Sequence, residues 1–269
     1  MDRWRLKNVI ILILLLVNGF LLGSLAMRKT AEQASFRRTA EQLAALFEAD
    51  GMSLDVYAIS QDQPPTGVSL TRDAALEAKT AAFLLGEAAP AVDQGGGLYQ
   101  YQGGSGEVLF RSSGGFEARG SLAPAAEAED FCRDFCRKFS YGEPVFQLDG
   151  KDTGTAAAVC LYGGLPVFNC SLTFTLESGA VIAASGTLLP ETGTPAGGET
   201  TPLSAAGALV AFQKMRQENV VVASSIKDTR LCYELQTVGT SVTLTPAWKI
   251  SADTADYYVN CYTGAVTSH

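Results

Sequence analysis

The chain has 269 residues, with 10 prolines and 27 glycines, and its formal net charge is −8. This length is enough for one elongated domain or for two to three small ones. An acidic body argues against a nucleic-acid partner, whose phosphates carry charge of the same sign, and against adhesion to anionic lipid. The content of aromatic and aliphatic residues is ordinary, which predicts a globular body.

An apolar segment near the N-terminus predicts a membrane span. Residues 8–27 contain no charged side chain, and a helix of that length crosses one hydrocarbon core of about 30 Å. A cleaved signal peptide, cut after Ser24-Leu25-Ala26, is the alternative, but the apolar run is long for such a peptide. The basic tail before the span predicts a cytoplasmic N-terminus and an extracytoplasmic body.

Three residues in this span form a candidate interface with another membrane helix. Gly19 and Gly23 lie one helical turn apart, and Asn18 is adjacent to them. Two glycines on one face let a second helix approach closely, and an amide in hydrocarbon needs a hydrogen-bonding partner. The alternative is an ordinary anchor, since glycine is frequent in membrane helices and one asparagine is tolerated.

A helical pattern follows the span. Apolar residues recur at helical spacing at Phe36, Ala40, Leu43 and Phe47. This pattern predicts a juxtamembrane helix that ends near Gly51. Leu54 to Ile59 then reads as a short strand.

A helix followed by short strands occurs three times in the remaining sequence. Helices are predicted over residues 72–85, 124–139 and 204–217, with Thr71 as the N-cap of the first. Alternation of apolar and polar residues over 168–177 predicts an antiparallel strand that is half buried. Short strands are predicted over residues 98–102, 107–111, 116–119, 145–148, 157–162, 167–176, 181–188, 230–237, 247–251, 257–262 and 265–267.

The predicted fold class is therefore α+β, with an N-terminal transmembrane helix followed by tandem modules of a helix and an antiparallel sheet. The predicted segments are a cytoplasmic tail (1–7), a transmembrane helix (8–27), a juxtamembrane helix and short strand (28–66), a first α+β module (67–122), a second (123–190), a linker (191–201) and a third module (202–269).

The cysteines suggest two disulfides without requiring either. A three-residue loop at Gly164-Leu165-Pro166 would place Cys160 opposite Cys170 on a hairpin, and Cys232 and Cys261 lie in two predicted strands of the last module. Either pair could be bridged in an extracytoplasmic body, or could remain as buried free thiols, which are common in protein cores.

Several short motifs look chemical but lack the partners that their chemistry needs. LPETG at Leu189–Gly193 matches a sorting signal, Asp152–Gly154 an aspartic-protease elbow, and Ser224–Lys227 an S-x-x-K serine enzyme. No apolar tail, second aspartate motif or companion S-D-N and K-T-G motifs accompany them. The single histidine is His269, so neither a His-dependent triad nor a zinc site is expected. The sequence predicts a binding or regulatory role, with no catalytic residue, metal or cofactor.

Two regions resemble the YycI regulators of Gram-positive bacteria. The opening MDRWRLKNVIILILLLVNGFLL is similar to the Met-Asp-Trp start, basic residues and apolar span of that family. The segments PAWKI (246–250) and YYVNCYTGAV (257–266) resemble its closing region, which is PepSY-like. Arg3 between Asp2 and Trp4 departs from the family pattern, as do the glycine-rich loops and the cysteines.

The resemblance implies PepSY-like modules and a non-enzymatic subunit that modulates the sensor histidine kinase WalK, also called YycG. It also implies a sister protein of YycH type, contact with the kinase through membrane helices, and an effect on cell-wall homeostasis. The hypothesis is therefore a single-pass membrane regulator of a two-component system. The rival hypothesis is a PepSY-type inhibitor or chaperone of an exported peptidase, with a passive anchor.

Overall fold

The computed structural model describes residues 33–87, 90–196, 200–218, 221–239 and 241–268. Within these ranges lie four α-helices: α1 (residues 33–49), α2 (Ala74–Leu85), α3 (Ala128–Lys138) and α4 (Ala205–Gln217). A 3-10 turn covers Val56–Ala58. The strands are β1 (Ser53–Leu54), β2 (Gly67–Leu70), β3 (Val92–Gly95), β4 (Leu98–Gly103), β5 (Gly106–Arg111), β6 (Gly115–Ala123), β7 (Val145–Leu148), β8 (Gly154–Tyr162), β9 (Leu165–Glu177), β10 (Ala180–Thr187), β11 (Thr194–Ala196), β12 (Ser225–Val238), β13 (Ser241–Ala252), β14 (Asp256–Asn260) and β15 (Val266–Ser268).

Side-chain caps define where two of the helices begin. The carboxylate of Asp73 accepts hydrogen bonds from the N–H groups of Ala75 and Leu76 at 2.9 and 3.0 Å. An aspartate in this position satisfies backbone donors that the first helical turn leaves free. The prediction that Thr71 caps α2 is therefore wrong by two residues. Ser204 caps α4.

Two predicted elements begin or fold differently in the structure. The helix expected from Pro124 begins at Ala128, because the preceding residues form a turn closed by a hydrogen bond from the N–H of Glu127 to the carbonyl of Pro124 at 3.0 Å. The strand expected over residues 54–59 is wrong: only Ser53–Leu54 is a strand, and Val56–Ala58 forms the 3-10 turn. Asp55 favours that turn because its carboxylate accepts from the N–H of Tyr57.

The described strands form one mixed, mostly antiparallel sheet. Its main path runs β11-β2-β13-β12-β9-β10-β6-β5-β4-β3. β7 and β8 extend it beside β9, while β14 and β15 extend it beside β13. β12 is parallel to both β1 and β9. A large sheet with helices between its strands in sequence confirms the predicted α+β class.

Strands from different predicted modules lie side by side in this sheet. Val68 of β2 is in register with Leu244 of β13 and with Pro195 of β11. β2 belongs to the predicted first module, β13 to the predicted third, and β11 to the predicted linker. Proline is tolerated in β11 because this strand lies at the sheet edge, where one row of backbone donors has no ladder partner.

The apolar core is divided between two large clusters. One contains residues of α2, α3 and the strands β4 to β10, with Phe110, Phe135 and Phe174 fully buried. The other contains residues of α1, α4 and β12 to β14, around Phe212 and Trp248. α1 therefore packs with the C-terminal elements, far from it in sequence.

Candidate functional site

The candidate membrane interface, Asn18, Gly19 and Gly23, lies outside the described residues and stays a prediction. Across the described ranges, no helix combines the length and hydropathy that crossing a membrane requires. α1 is the element that follows the predicted span in sequence. The attachment of α1 to the body therefore determines whether a movement of the predicted span would also move the body.

α1 is built into the C-terminal core by one apolar face. Its buried stripe consists of Ala40, Leu43 and Phe47, and Phe47 has no exposed surface. This stripe shares a core cluster with Phe212 of α4. Leu46, which flanks this stripe, is 46% exposed. Burial of a side chain such as that of Phe47 stabilises the fold by about 1.5 to 3 kcal/mol, so α1 is a structural part of the body.

Polar contacts fasten the C-terminal end of α1 to the C-terminal end of α4. The carboxylate of Asp50 accepts hydrogen bonds from the side-chain amides of Gln217, at 2.9 Å, and Gln213. These two bonds lower the pKa of Asp50. The Arg216 guanidinium donates to the Asp50 carbonyl at 3.1 and 3.2 Å, where a cation favourably meets the last carbonyls of a helix.

The chain leaves α1 directly into the sheet. The N–H of Ser53 donates to the carbonyl of Ser224 at 2.9 Å, and β1 then pairs with β12. The carboxylate of Asp253 accepts from the N–H groups of Ser224 and Ser225 at 2.9 and 3.1 Å and from the Ser224 hydroxyl. These bonds hold the pKa of Asp253 well below its usual value. The serine of the S-x-x-K motif thus has a structural role at the start of β12.

The predicted three-residue loop at residues 164–166 is wrong. Two glycines, Gly163 and Gly164, form the turn with φ of +56° and +82°, and Tyr162 pairs with Leu165. Both central positions of such a two-residue turn need positive φ, which glycine adopts without strain.

A bulge in β9 brings the first cysteine pair together instead. The register passes from Cys160↔Val167 to Val159↔Ser171, which leaves residues 168–170 without partners on β8. Cys170, the last residue of this bulge, forms a disulfide with Cys160, and their Cα atoms are 5.5 Å apart. The bridge closes the base of the bulge.

The other two residues of the bulge reach toward the C-terminal strands. Phe168 stacks on Tyr258 of β14, with ring centroids 3.8 Å apart. The side chain of Asn169 exchanges two hydrogen bonds with the backbone of Leu235 in β12. Three consecutive residues of β9 therefore contact three different strands.

Cys232 and Cys261 are both buried and unbridged in the structure. Burial raises the pKa of each thiol to about 12, because the thiolate would lose its hydration. Cys232 donates its S–H to the carbonyl of Ala247 at 3.3 Å. Both side chains therefore act as small apolar core residues.

The remaining chemical-looking motifs also lie in structural positions. Asp152 occupies a turn with φ of +55°, and its N–H donates to the Asp149 carbonyl at 3.1 Å. Leu189, the first residue of LPETG, is buried in the core, and the motif ends immediately before β11. Within the described ranges, no group of three His, Cys, Asp or Glu side chains could hold a metal ion.

The described fold thus defines an α+β body in which the helix after the predicted span is part of the C-terminal core. It is similar to an uncharacterized protein from Eubacterium rectale, with a TM-score of 0.45 and 10% identity over 80% of this chain and 89% of that one. It is also similar to YycH from Bacillus subtilis, with a TM-score of 0.38 and 9% identity over 78% of this chain. The match covers 55% of the YycH chain. No protein-family model matches the sequence, and the search of curated proteins gives no match.

Proposed function

We propose that the protein is a membrane-anchored regulator of a sensor histidine kinase of the WalK type, with an extracytoplasmic body and a cytoplasmic N-terminus. The observation that carries the proposal is the packing of α1, the helix next to the predicted span, inside the C-terminal core. A rotation or tilt of the membrane helix would then move the body with it, and the body would restrain the helix in turn.

The regulatory step is a difference in contact between two kinase states. A membrane helix shifts a kinase equilibrium only if it binds one state better than the other. A difference of about 1 to 3 kcal/mol is typical of coupling between sites. Asn18, Gly19 and Gly23 are the proposed contact residues, because small residues permit close helix packing and an amide gains a partner there.

The proposed assembly has a second component. The resemblance to YycI regulators implies a sister protein of YycH type beside the kinase, with cell-wall homeostasis as the output. The described body supports a binding role in one respect, since its motifs that look catalytic are engaged in turns, strand ends and core contacts.

The test replaces both glycines in the full-length protein. In Gly19→Ile/Gly23→Ile, bulky side chains prevent close helix approach, and we expect kinase-dependent transcription to change from the wild-type level. The control is Leu14→Ile/Leu21→Ile, which places two isoleucines on the opposite face of an ideal helix without a change in side-chain volume. Membrane insertion of each variant is measured by fractionation.

Two outcomes contradict the proposal. Unchanged transcription in the correctly inserted glycine variant rules out regulation through this helix face. Full activity of a body released from the membrane favours the rival, in which the body inhibits or assists an exported peptidase and the anchor is passive.

A further inference from the structure

One edge of the sheet is open at β7. This strand pairs with β8 alone among the described strands, so its other side has no strand beside it there. Two of its side chains are large, apolar and exposed, since Val145 is 62% exposed and Leu148 is 41% exposed. Neither a charge nor a proline lies within this strand. Native proteins commonly use such residues to prevent another strand from adding to an edge.

The strands at the two ends of the main sheet path, β3 and β11, differ from β7 in this respect. β3 contains Asp93, and β11 contains Pro195. A charge on an edge strand opposes pairing because it would lose its hydration, and a proline lacks the N–H that a ladder needs. Of these three edges, β7 is therefore the one whose sequence permits pairing with another chain.

The ladder between β7 and β8 shows which backbone groups of β7 are already bonded. The N–H of Asp149 donates to the carbonyl of Thr153 at 2.9 Å. The carbonyl oxygen of Gln147 lies against Gly154 of β8, where an added Cβ would be 2.1 Å from it. Odd-numbered residues of this segment thus turn their backbone groups toward β8. Because the direction alternates along a strand, the even-numbered residues turn theirs toward the open edge.

Phe146 and Leu148 therefore offer two donors and two acceptors to a partner strand. In an antiparallel pair, two residues exchange both hydrogen bonds only if each turns its backbone groups toward the other. A second copy of β7 meets this requirement when Phe146 of each copy lies opposite Leu148 of the other. The two-fold axis then passes between the two Gln147 residues, and four hydrogen bonds form. A shift of one residue in one copy would instead oppose groups that are already bonded to β8.

We propose that β7 pairs with β7 of a second copy of this chain, antiparallel and centred on Gln147, so that the two sheets become continuous. Residues directly opposite each other in a ladder place their side chains on the same face. The exposed Leu148 therefore packs on Phe146 of the second copy, which is itself partly buried against the core cluster of α2 and α3. This inference uses residues of the body alone, so it is independent of the proposed regulation of a kinase.

Charges beside β7 distinguish the proposed register from a neighbouring one. In the proposed register, Glu143 of one copy lies level with Lys151 of the other. A register that places Phe146 opposite Phe146 of the second copy instead sets Glu143 level with Asp149 of that copy. Opposite charges across a ladder stabilise the pair, whereas like charges destabilise it. The charges therefore favour the register that is centred on Gln147.

Disulfide cross-linking of the full-length chain in phospholipid vesicles tests the pairing. Gln147→Cys places one thiol of each copy at the two-fold axis, in a non-hydrogen-bonded pair whose Cα atoms are about 4.5 Å apart, which a disulfide can span. Val145→Cys is the matched control on the same strand and face, since the two copies of this position are offset by four residues, about 13 Å. The native free thiols are buried, and burial raises their pKa to about 12, so mild oxidation acts on the added cysteine.

The measurement is the rate at which the disulfide-linked dimer forms, divided by the rate at which a maleimide labels the same thiol. We expect rapid dimer formation with Gln147→Cys and only the rate of random collisions with Val145→Cys. Cross-linking of Val145→Cys that equals or exceeds that of Gln147→Cys overturns the pairing. An absence of dimer in both variants overturns it as well.

A second pair of variants tests the edge itself in the Gln147→Cys chain. Leu148→Lys places an ammonium group beside Phe146 of the second copy and should reduce dimer formation to the Val145→Cys rate. Val159→Lys is its control, since Val159 is 43% exposed and lies on β8, away from the open edge. This control should form the dimer as rapidly as Gln147→Cys alone. Equal dimer formation with the two lysine variants overturns the proposed contact.

Discussion

Asn169 and Leu235 join the two halves of the sheet through a side-chain amide. The Asn169 amide nitrogen donates to the Leu235 carbonyl, and the Leu235 N–H donates to the Asn169 amide oxygen, both at 2.8 Å. The side chain thus extends the contact between β9 and β12, whose backbone pairing is Val167 with Tyr233. This contact and the Phe168–Tyr258 stack couple the half of the sheet that carries α2 and α3 to the half that holds α1.

Asn169→Ala removes both hydrogen bonds and is expected to lower the free energy of unfolding by about 1 to 2 kcal/mol, since each neutral bond contributes about 0.5 to 1.5 kcal/mol. Urea unfolding followed by circular dichroism measures the change. Ser171→Ala, at another exposed position of β9, is the control. Equal stability of the two variants would show that the amide does not join the strands.

Reduction of the Cys160–Cys170 bridge is expected to destabilise the body by about 2 to 3 kcal/mol, the loop-closure value for a short cross-linked loop. The melting temperature, measured with and without dithiothreitol, reports this loss. Cys160→Ala/Cys170→Ala should melt at the same temperature in both conditions. A wild-type melting temperature that dithiothreitol does not change would contradict a stabilising bridge.

Phe47→Ala should be severely destabilising because it leaves a cavity where α1 meets the C-terminal core. Truncation of a fully buried phenylalanine costs about 3 to 5 kcal/mol. Leu46→Ala, next to it and 46% exposed, should cost much less. Denaturant unfolding of both full-length variants gives the comparison. Similar losses of unfolding free energy in the two variants would mean that the buried face of α1 does not hold the helix to the C-terminal core.

Asp253 should make stability depend on pH in the acid range. Hydrogen bonds from Ser224 and Ser225 lower its pKa in the folded state, so its stabilising effect is complete above the unfolded pKa of about 3.9 and is lost as pH falls toward the lower folded value. Asp253→Asn should be less stable than wild type near neutral pH. The difference in free energy of unfolding between the two proteins should narrow below about pH 4. Unfolding curves across this range provide the measurement. A difference in free energy of unfolding that stays constant with pH would refute a role for the carboxylate.

Local patterns were sufficient to predict much of the fold. The stripe Ala40, Leu43 and Phe47 predicted α1 because apolar residues three and four apart share a helix face. The bounds predicted for β7, Val145–Leu148, match those in the structure. The adjacent glycines at 163 and 164 also carried a signal, since a Gly-Gly pair between strands indicates a two-residue turn.

The missed features depend on contacts between residues distant in sequence. The packing of α1 with α4 cannot be predicted from either helix alone, because each presents an ordinary apolar face. Asn169 occupies a polar position in an alternating strand, and only the bulge turns it toward Leu235. Arg72 and Glu77 form a partly buried ion pair at 2.6 Å, with the guanidinium 3.3 Å from the Tyr99 ring centroid. Their spacing of five residues is not that of a helical pair.

Kinase autophosphorylation in reconstituted vesicles tests regulation through the membrane helix most directly. A sensor histidine kinase of the WalK type would be reconstituted alone, with the full-length wild-type chain, and with Gly19→Ile/Gly23→Ile. We predict that the wild-type chain changes the autophosphorylation rate, that the glycine variant leaves it at the value of the kinase alone, and that Leu14→Ile/Leu21→Ile behaves as wild type. A glycine variant that changes the rate as much as the wild-type chain does would contradict regulation through this helix.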